Sequence, residues 1–173
     1  MPIGLDYHTL ETHPEKVPHW GPGASVKKQE AQLLGVLKEA PPLSKRQLKV
    51  YSTFHLNYLP DGATSFSDRV EAFRDIPAEL VDHEQNKIMR LETWAKQATY
   101  GFVASPHGRG LDCHRTWEAL VLGCIVIVKT SSLDPLYEGL PVLIVKEWKE
   151  VTSELLKETH AKYSAVVAPT SIE

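Results

Sequence analysis

The chain has 173 residues, of which 42% are apolar and 24% charged, and this composition predicts one globular domain with a packed core. Its net charge of −3 excludes a strongly basic surface of the kind that holds nucleic acid. The longest apolar run, Cys124–Val128, is far shorter than the roughly 20 residues that cross a bilayer, so no membrane segment is predicted. The two cysteines lack the CxxC spacing of a zinc site.

The first 42 residues are interpreted as a proline-rich lead-in that contains one helix. Four apolar residues recur at helical spacing between Ser25 and Glu39, and Ser25 is suited to cap the helix start. The six prolines that interrupt regular structure are Pro2, Pro14, Pro18, Pro22, Pro41 and Pro42.

From residue 43 onward, strand-like and helix-like segments alternate. The predicted strands are Leu48–Phe54, Tyr100–Ser105, Cys124–Val128 and Val142–Val145. The predicted helices are Ser67–Arg74, Glu84–Thr99, Asp112–Leu122, which ends at Gly123, and Thr152–Tyr163. This alternation predicts an α/β domain over residues 43–173, with a doubly wound, Rossmann-like parallel sheet and helices on both faces. Ligands of such a sheet bind beyond the carboxyl ends of its strands.

The segment 105–120 carries the clearest functional signal, because a glycine-containing turn joins a predicted strand to a predicted helix. Gly108 and Gly110 are expected to allow a sharp turn and a close approach to a ligand, and Asp112 is expected to cap the helix. The start of a helix attracts phosphate through its free N–H groups and its dipole.

Two residues on this helix are candidates for nucleotide contacts. Arg115, in the first turn, is suited to pair with a phosphate, and Glu118, three residues later, is suited to accept ribose hydroxyls. The alternative is a solvent-exposed ion pair between Arg115 and Glu118. The dinucleotide fingerprint is not met, because Cys113 stands where a third glycine or alanine is required.

The segment His107–Val128 closely resembles the donor-binding segment of exostosin-like glycosyltransferases, whose pattern runs from a Pro-x-Gly turn through Asp, Arg and Glu-Ala-Leu to Gly-Cys-Ile-Pro-Val. Val126 replaces the usual proline of that pattern. The resemblance implies one half of a GT-B fold that binds a nucleoside-diphosphate sugar as co-substrate and transfers the sugar to an acceptor hydroxyl. It implies that Arg115 contacts the diphosphate, that Glu118 contacts the ribose, and that the Gly108–Gly110 turn lies near the phosphates.

The residues Pro2–Asp6 are similar to the segment that links the two halves of GT-B enzymes. Residues 1–42 are therefore interpreted as a remnant of that linker, and the acceptor-binding half is expected to be missing from this chain. The alternative is a non-catalytic nucleotide-sugar-binding fragment or a partner subunit. The sequence does not identify a catalytic base. Eukaryotic members of the exostosin-like family are often found in the Golgi.

The sequence predicts sugar transfer without a metal ion, and it offers several further residues for the donor site. No metal site is predicted, since the eight histidines lack metal-binding spacing and no DxD pair is present. Transfer is therefore expected to proceed without a metal, with Arg115 and the helix dipole stabilising the leaving diphosphate. The other predicted donor-binding residues are Ser105, His107, Arg109 and Asp112, with Lys129, Thr130, Ser131, Ser52 and Thr53 as a second tier.

Overall fold

A computed structural model describes residues 1–56 and 67–166 of the chain. Its centre is a five-stranded parallel sheet in the order β2-β1-β3-β4-β5. The strands are β1 (Gln47–Ser52), β2 (Val81–His83), β3 (Tyr100–Ala104), β4 (Ile125–Lys129) and β5 (Val142–Val145). The α-helices are α1 (His8–Thr12), α2 (Val26–Glu39), α3 (Ser67–Asp75), α4 (Arg90–Gln97), α5 (His114–Val121) and α6 (Ser153–Val166).

Helices cover both faces of the sheet, as predicted. Successive residues of the central strands point to opposite sides, so the apolar runs of β3 and β4 supply two separate cores. On one side Phe102 and Ile125 pack with α3 and α6, and on the other Val103 and Val126 pack with α2, α4 and α5. All four of these strand residues are 0% exposed. The doubly wound α/β prediction is confirmed.

The proline-rich lead-in packs as part of this fold. The side chain of Ser25 accepts a hydrogen bond from the backbone N–H of Lys28 at 3.4 Å, so Ser25 caps α2 as predicted. Leu33 of α2 is completely buried in the same core as Trp94 and Ala119. The first 42 residues therefore share a core with the sheet and do not stand apart from it.

The region between residues 81 and 99 differs from the prediction of one long helix over Glu84–Thr99. Residues Val81–His83 form the edge strand β2, which pairs with β1, and the backbone N–H of Glu84 extends this pairing to the carbonyl of Ser52 at 2.8 Å. Helix α4 consequently begins only at Arg90. A three-residue strand carries too little periodicity to predict, and hydrogen bonding to a distant strand decides its structure.

The strand order places a topological switch point between β1 and β3. The chain leaves β1 toward α3 on one face of the sheet, and it leaves β3 toward α5 on the other face. The helices that follow these neighbouring strands therefore lie on opposite faces, and a crevice is expected at the carboxyl ends of the two strands. Over residues 1–56 and 67–166, no helix has the length and apolar character needed to span a bilayer.

Candidate functional site

A cavity of about 550 Å³ lies at the switch point. Its lining includes Thr53, which follows β1, and Glu84, which follows β2. The opposite wall is formed by the loop after β3 and the start of α5, and it includes Arg109, Arg115 and Glu118. The cavity thus gathers the predicted residues Gly108, Arg109, Gly110, Asp112, Arg115, Glu118 and Thr53.

The lead-in closes part of this cavity. The backbone N–H of Ile3 donates to a carboxylate oxygen of Asp112 at 2.6 Å, and Nδ1 of His114 lies 2.7 Å from the carbonyl oxygen of Gly4. A carbonyl oxygen only accepts, so Nδ1 of His114 carries the proton in this contact. Farther along the lead-in, His19 and Trp20 line the same cavity. The segment predicted as an interdomain linker is therefore a wall of the candidate site.

Arg115 is a buried, positively charged residue of the cavity lining. Its guanidinium carbon lies 5.9 Å from the centre of the Phe54 ring, and its Nη1 atom is buried without a hydrogen-bond partner among the described residues. Burial, with the nearby positive charge of Arg69 as the next cause, lowers the pKa of Arg115 to about 10. Arg115 is thus still charged at neutral pH, in surroundings that favour an anion beside it.

Two neighbours define the charge around Arg115. The Arg69 side chain donates hydrogen bonds to the carbonyl oxygens of His55 and His107, at 3.1 and 3.3 Å. Burial, together with the charge of Arg115, lowers the pKa of His55, so this imidazole is neutral at pH 7. His55 therefore adds no positive charge to that of Arg115 and Arg69 at this end of the cavity.

Glu118 is not paired with Arg115, so the alternative of a solvent-exposed i,i+3 ion pair is wrong. Its carboxylate forms an ion pair with Arg90 of α4, and its second oxygen accepts a hydrogen bond from Nε1 of Trp94 at 3.1 Å. The Glu118 side chain is 15% exposed. Two donors from α4 therefore fix the carboxylate at the cavity wall, and each oxygen keeps a further lone pair for a ligand.

The sharp turn at Gly108 and Gly110 was predicted to need glycine, and this part of the prediction is wrong. Neither Gly108 nor Gly110 has a positive φ, so the turn itself does not require glycine. A Cβ atom at Gly108 would lie 3.0 Å from Nη2 of Arg69, whereas one at Gly110 would have its nearest neighbour at 3.8 Å. Gly108 therefore leaves room for the Arg69 guanidinium.

Gly108→Ala is expected to displace Arg69 and weaken binding of an anionic ligand several-fold. The free energy of unfolding should change little, because the atom that must move is the end of a flexible side chain. Titration of both variants with inorganic pyrophosphate would test this, with Gly110→Ala as the matched control. Equal affinities for the two variants would contradict the role of Gly108.

The expected capping role of Asp112 is wrong. Cys113 occupies the N-cap position of α5, and no side chain caps this helix. Asp112 instead accepts hydrogen bonds from Nε1 of Trp117 at 2.7 Å and from the backbone of Ile3. Its carboxylate thus ties the lead-in to α5, and the start of the helix, at Cys113 and His114, faces the cavity without a side-chain cap.

Six of the predicted residues do not line the cavity. Ser105 and Ser52 are 2% exposed, and the hydroxyl of Ser105 lies 2.9 Å from that of Thr116. His107, which follows β3, and Lys129, at the end of β4, belong instead to a second polar cluster around Asp68 of α3. Thr130 and Ser131 both donate hydrogen bonds to Asp134 within their own turn. The six are Ser52, Ser105, His107, Lys129, Thr130 and Ser131.

Several cavity residues were not predicted from the sequence, among them Arg69, Arg90 and Trp20. They lie on separate segments, and only the packing of α3, α4 and the lead-in against the sheet brings them together. The ring of Trp20 lies 5.3 Å from the Arg90 guanidinium carbon. Among the described residues, no group of three or more His, Cys, Asp or Glu side chains is arranged to hold a metal ion.

Comparison with known proteins adds no family to these observations. A scan against protein-family models gives no match, and a search of curated proteins gives none either.

Proposed function

We propose that this chain is the donor-binding domain of a glycosyltransferase and binds a nucleoside-diphosphate sugar in the cavity at the switch point. The observation that carries the proposal is the Arg115 guanidinium, which has a buried Nη1 atom without a partner in the described part of the chain. A buried charged donor without an acceptor is costly, and a phosphate oxygen supplies the missing acceptor.

The surroundings of Arg115 support a diphosphate as the anion. Arg69 places a second guanidinium near the first, and the uncapped start of α5 adds the positive end of a helix dipole. Two phosphate groups carry enough negative charge to interact with all three groups. In sugar transfer the same groups stabilise the charge that develops on the leaving diphosphate while an acceptor hydroxyl attacks the anomeric carbon.

Glu118 supports the nucleoside part of the proposal. It lies one helical turn beyond Arg115, so a ligand whose diphosphate contacts Arg115 extends its ribose toward the Glu118 carboxylate. The carboxylate is held in place by Arg90 and Trp94 before any ligand arrives. A preorganised acceptor costs little further ordering when two ribose hydroxyls donate to it.

Calorimetric titration of the chain with a panel of nucleoside diphosphates and their sugar conjugates tests the proposal, without and then with a divalent metal. We expect one nucleotide to bind, and its sugar conjugate to bind at the same cavity. Incubation of that conjugate with candidate acceptors then separates a transferase from a binding protein without turnover. Absence of binding by every nucleotide would overturn the proposal.

Glu118→Gln is expected to weaken binding of the nucleoside diphosphate roughly ten-fold, while inorganic pyrophosphate, which has no ribose, should bind as before. The amide replaces one carboxylate oxygen by a donor, so it accepts fewer hydroxyl hydrogen bonds. It also leaves the Arg90 charge without its counter-ion, so thermal unfolding of the variant should be measured alongside. Equal losses for both ligands would contradict the ribose contact.

A further inference from the structure

Arg90 is a buried cation that borders the same cavity. The residue is 7% exposed, and its guanidinium carbon lies over two indole rings, 5.3 Å from the centre of Trp20 and 4.9 Å from that of Trp94. Its Nη2 atom donates to Glu118, but its Nη1 atom is buried and has no hydrogen-bond partner in the described part of the chain. The guanidinium thus donates a hydrogen bond through Nη2, while the N–H groups of Nη1 have no acceptor.

A role as counter-ion to Glu118 does not account for Nη1. A lysine neutralises a carboxylate with a single ammonium group, whereas arginine buries additional N–H donors that each need an acceptor. A buried charged donor without an acceptor disfavours the folded state. Contact with the two indole rings also favours arginine, but it leaves Nη1 without an acceptor, and a ligand hydroxyl beside the Glu118 carboxylate would supply one.

We infer that Arg90 and Glu118 together recognise a ribose hydroxyl of the nucleotide, an inference that rests on the proposed function. A hydroxyl both donates and accepts a hydrogen bond. At this position it donates to the Glu118 carboxylate and accepts from Nη1 of Arg90, which belongs to the guanidinium already bound to that carboxylate. Arg90 is in this way a specificity-determining residue that distinguishes ribonucleotides from deoxyribonucleotides.

The test compares the affinities of ribonucleoside diphosphates with those of their 2′-deoxy and 3′-deoxy counterparts by calorimetry. For the intact chain, we expect at least one of the two deoxy ligands to bind about ten-fold more weakly, as fits the loss of hydrogen bonds to charged groups. Arg90→Lys keeps the counter-ion of Glu118 and removes the second donor edge. In that variant the preference should fall about three-fold or more, because only the Glu118 carboxylate then contacts the hydroxyl, and pyrophosphate affinity should stay unchanged.

Arg74→Lys is the matched control, because Arg74 is an exposed arginine on α3 outside the cavity and its replacement should leave the ribose preference intact. Equal binding of ribo and deoxy ligands by the intact chain would overturn the role of Arg90, and this measurement needs no variant. A preference retained in Arg90→Lys would reduce Arg90 to a counter-ion. Absence of binding by any nucleoside diphosphate would instead overturn the proposed function itself.

Discussion

Arg115→Met is expected to weaken binding of the nucleoside diphosphate roughly 30- to 100-fold. A hydrogen bond to a charged group contributes about 1.5–3 kcal/mol, and methionine removes every donor while preserving much of the side-chain volume. The loss should be the same for nucleotide and pyrophosphate, because both place phosphate beside Arg115. Calorimetric titration of the variant with both ligands measures it.

The same substitution is expected to leave the thermal midpoint of unfolding unchanged or to raise it. Burial and the nearby Arg69 lower the pKa of Arg115, which means that the folded state disfavours its charged form. Methionine removes a charge that the unliganded fold does not stabilise. Arg109→Met, which changes an exposed arginine of the loop before α5, should affect binding much less. Full affinity in Arg115→Met would refute the phosphate contact.

Asp68→Ala is expected to lower the free energy of unfolding by about 2–4 kcal/mol. Asp68 is 8% exposed, and its carboxylate accepts hydrogen bonds from Nε1 of Trp148 at 2.7 Å and from the backbone of His107 at 2.8 Å. Lys129 adds its charge 3.8 Å away. Alanine leaves the buried Trp148 donor without its acceptor, so the core between α3 and the sheet is weakened.

Urea unfolding of the variants at neutral pH measures this loss. Asp68→Asn retains an oxygen for Trp148 and should fall between the intact chain and Asp68→Ala. The control is Asp75→Ala at the end of the same helix, where the ion pair with Arg74 lies at the surface and contributes little. An Asp68→Ala variant that unfolds at the same urea concentration as the intact chain would show that the cluster is not structural.

The central strands of the fold are predictable from sequence because burial on both faces demands continuous apolar runs. The sequence predicts β4 at Cys124–Val128 and β3 at Tyr100–Ser105, and both predictions agree with the observed strand ends within a residue or two. The edge strand β2 has only three residues, and its pairing with β1 depends on a partner about 30 positions away. No local pattern carries that information.

Some residues of the candidate site are likewise predictable from the sequence, and others are not. Arg115 and Glu118 are predictable because both lie on one helix, where their spacing determines which surface they share. Arg90 and Arg69 come from other helices, so their approach to that surface depends on how the whole sheet is covered. Ser105 shows the opposite failure, because its side chain turns back to the hydroxyl of Thr116 and away from the cavity.

The cavity walls come from segments scattered between Ile3 and Glu118, and this has a consequence for how a ligand acts on folding. A molecule that touches the lead-in, α4 and α5 together binds the assembled chain and has no equivalent site in the unfolded one. Mass action then stabilises the native state by about 2.7 kcal/mol at a ligand concentration one hundred times Kd. A ligand of this cavity therefore holds the lead-in, α4 and α5 together for as long as it is bound. Compounds that bind the cavity can be recognised because they raise the melting temperature of the chain.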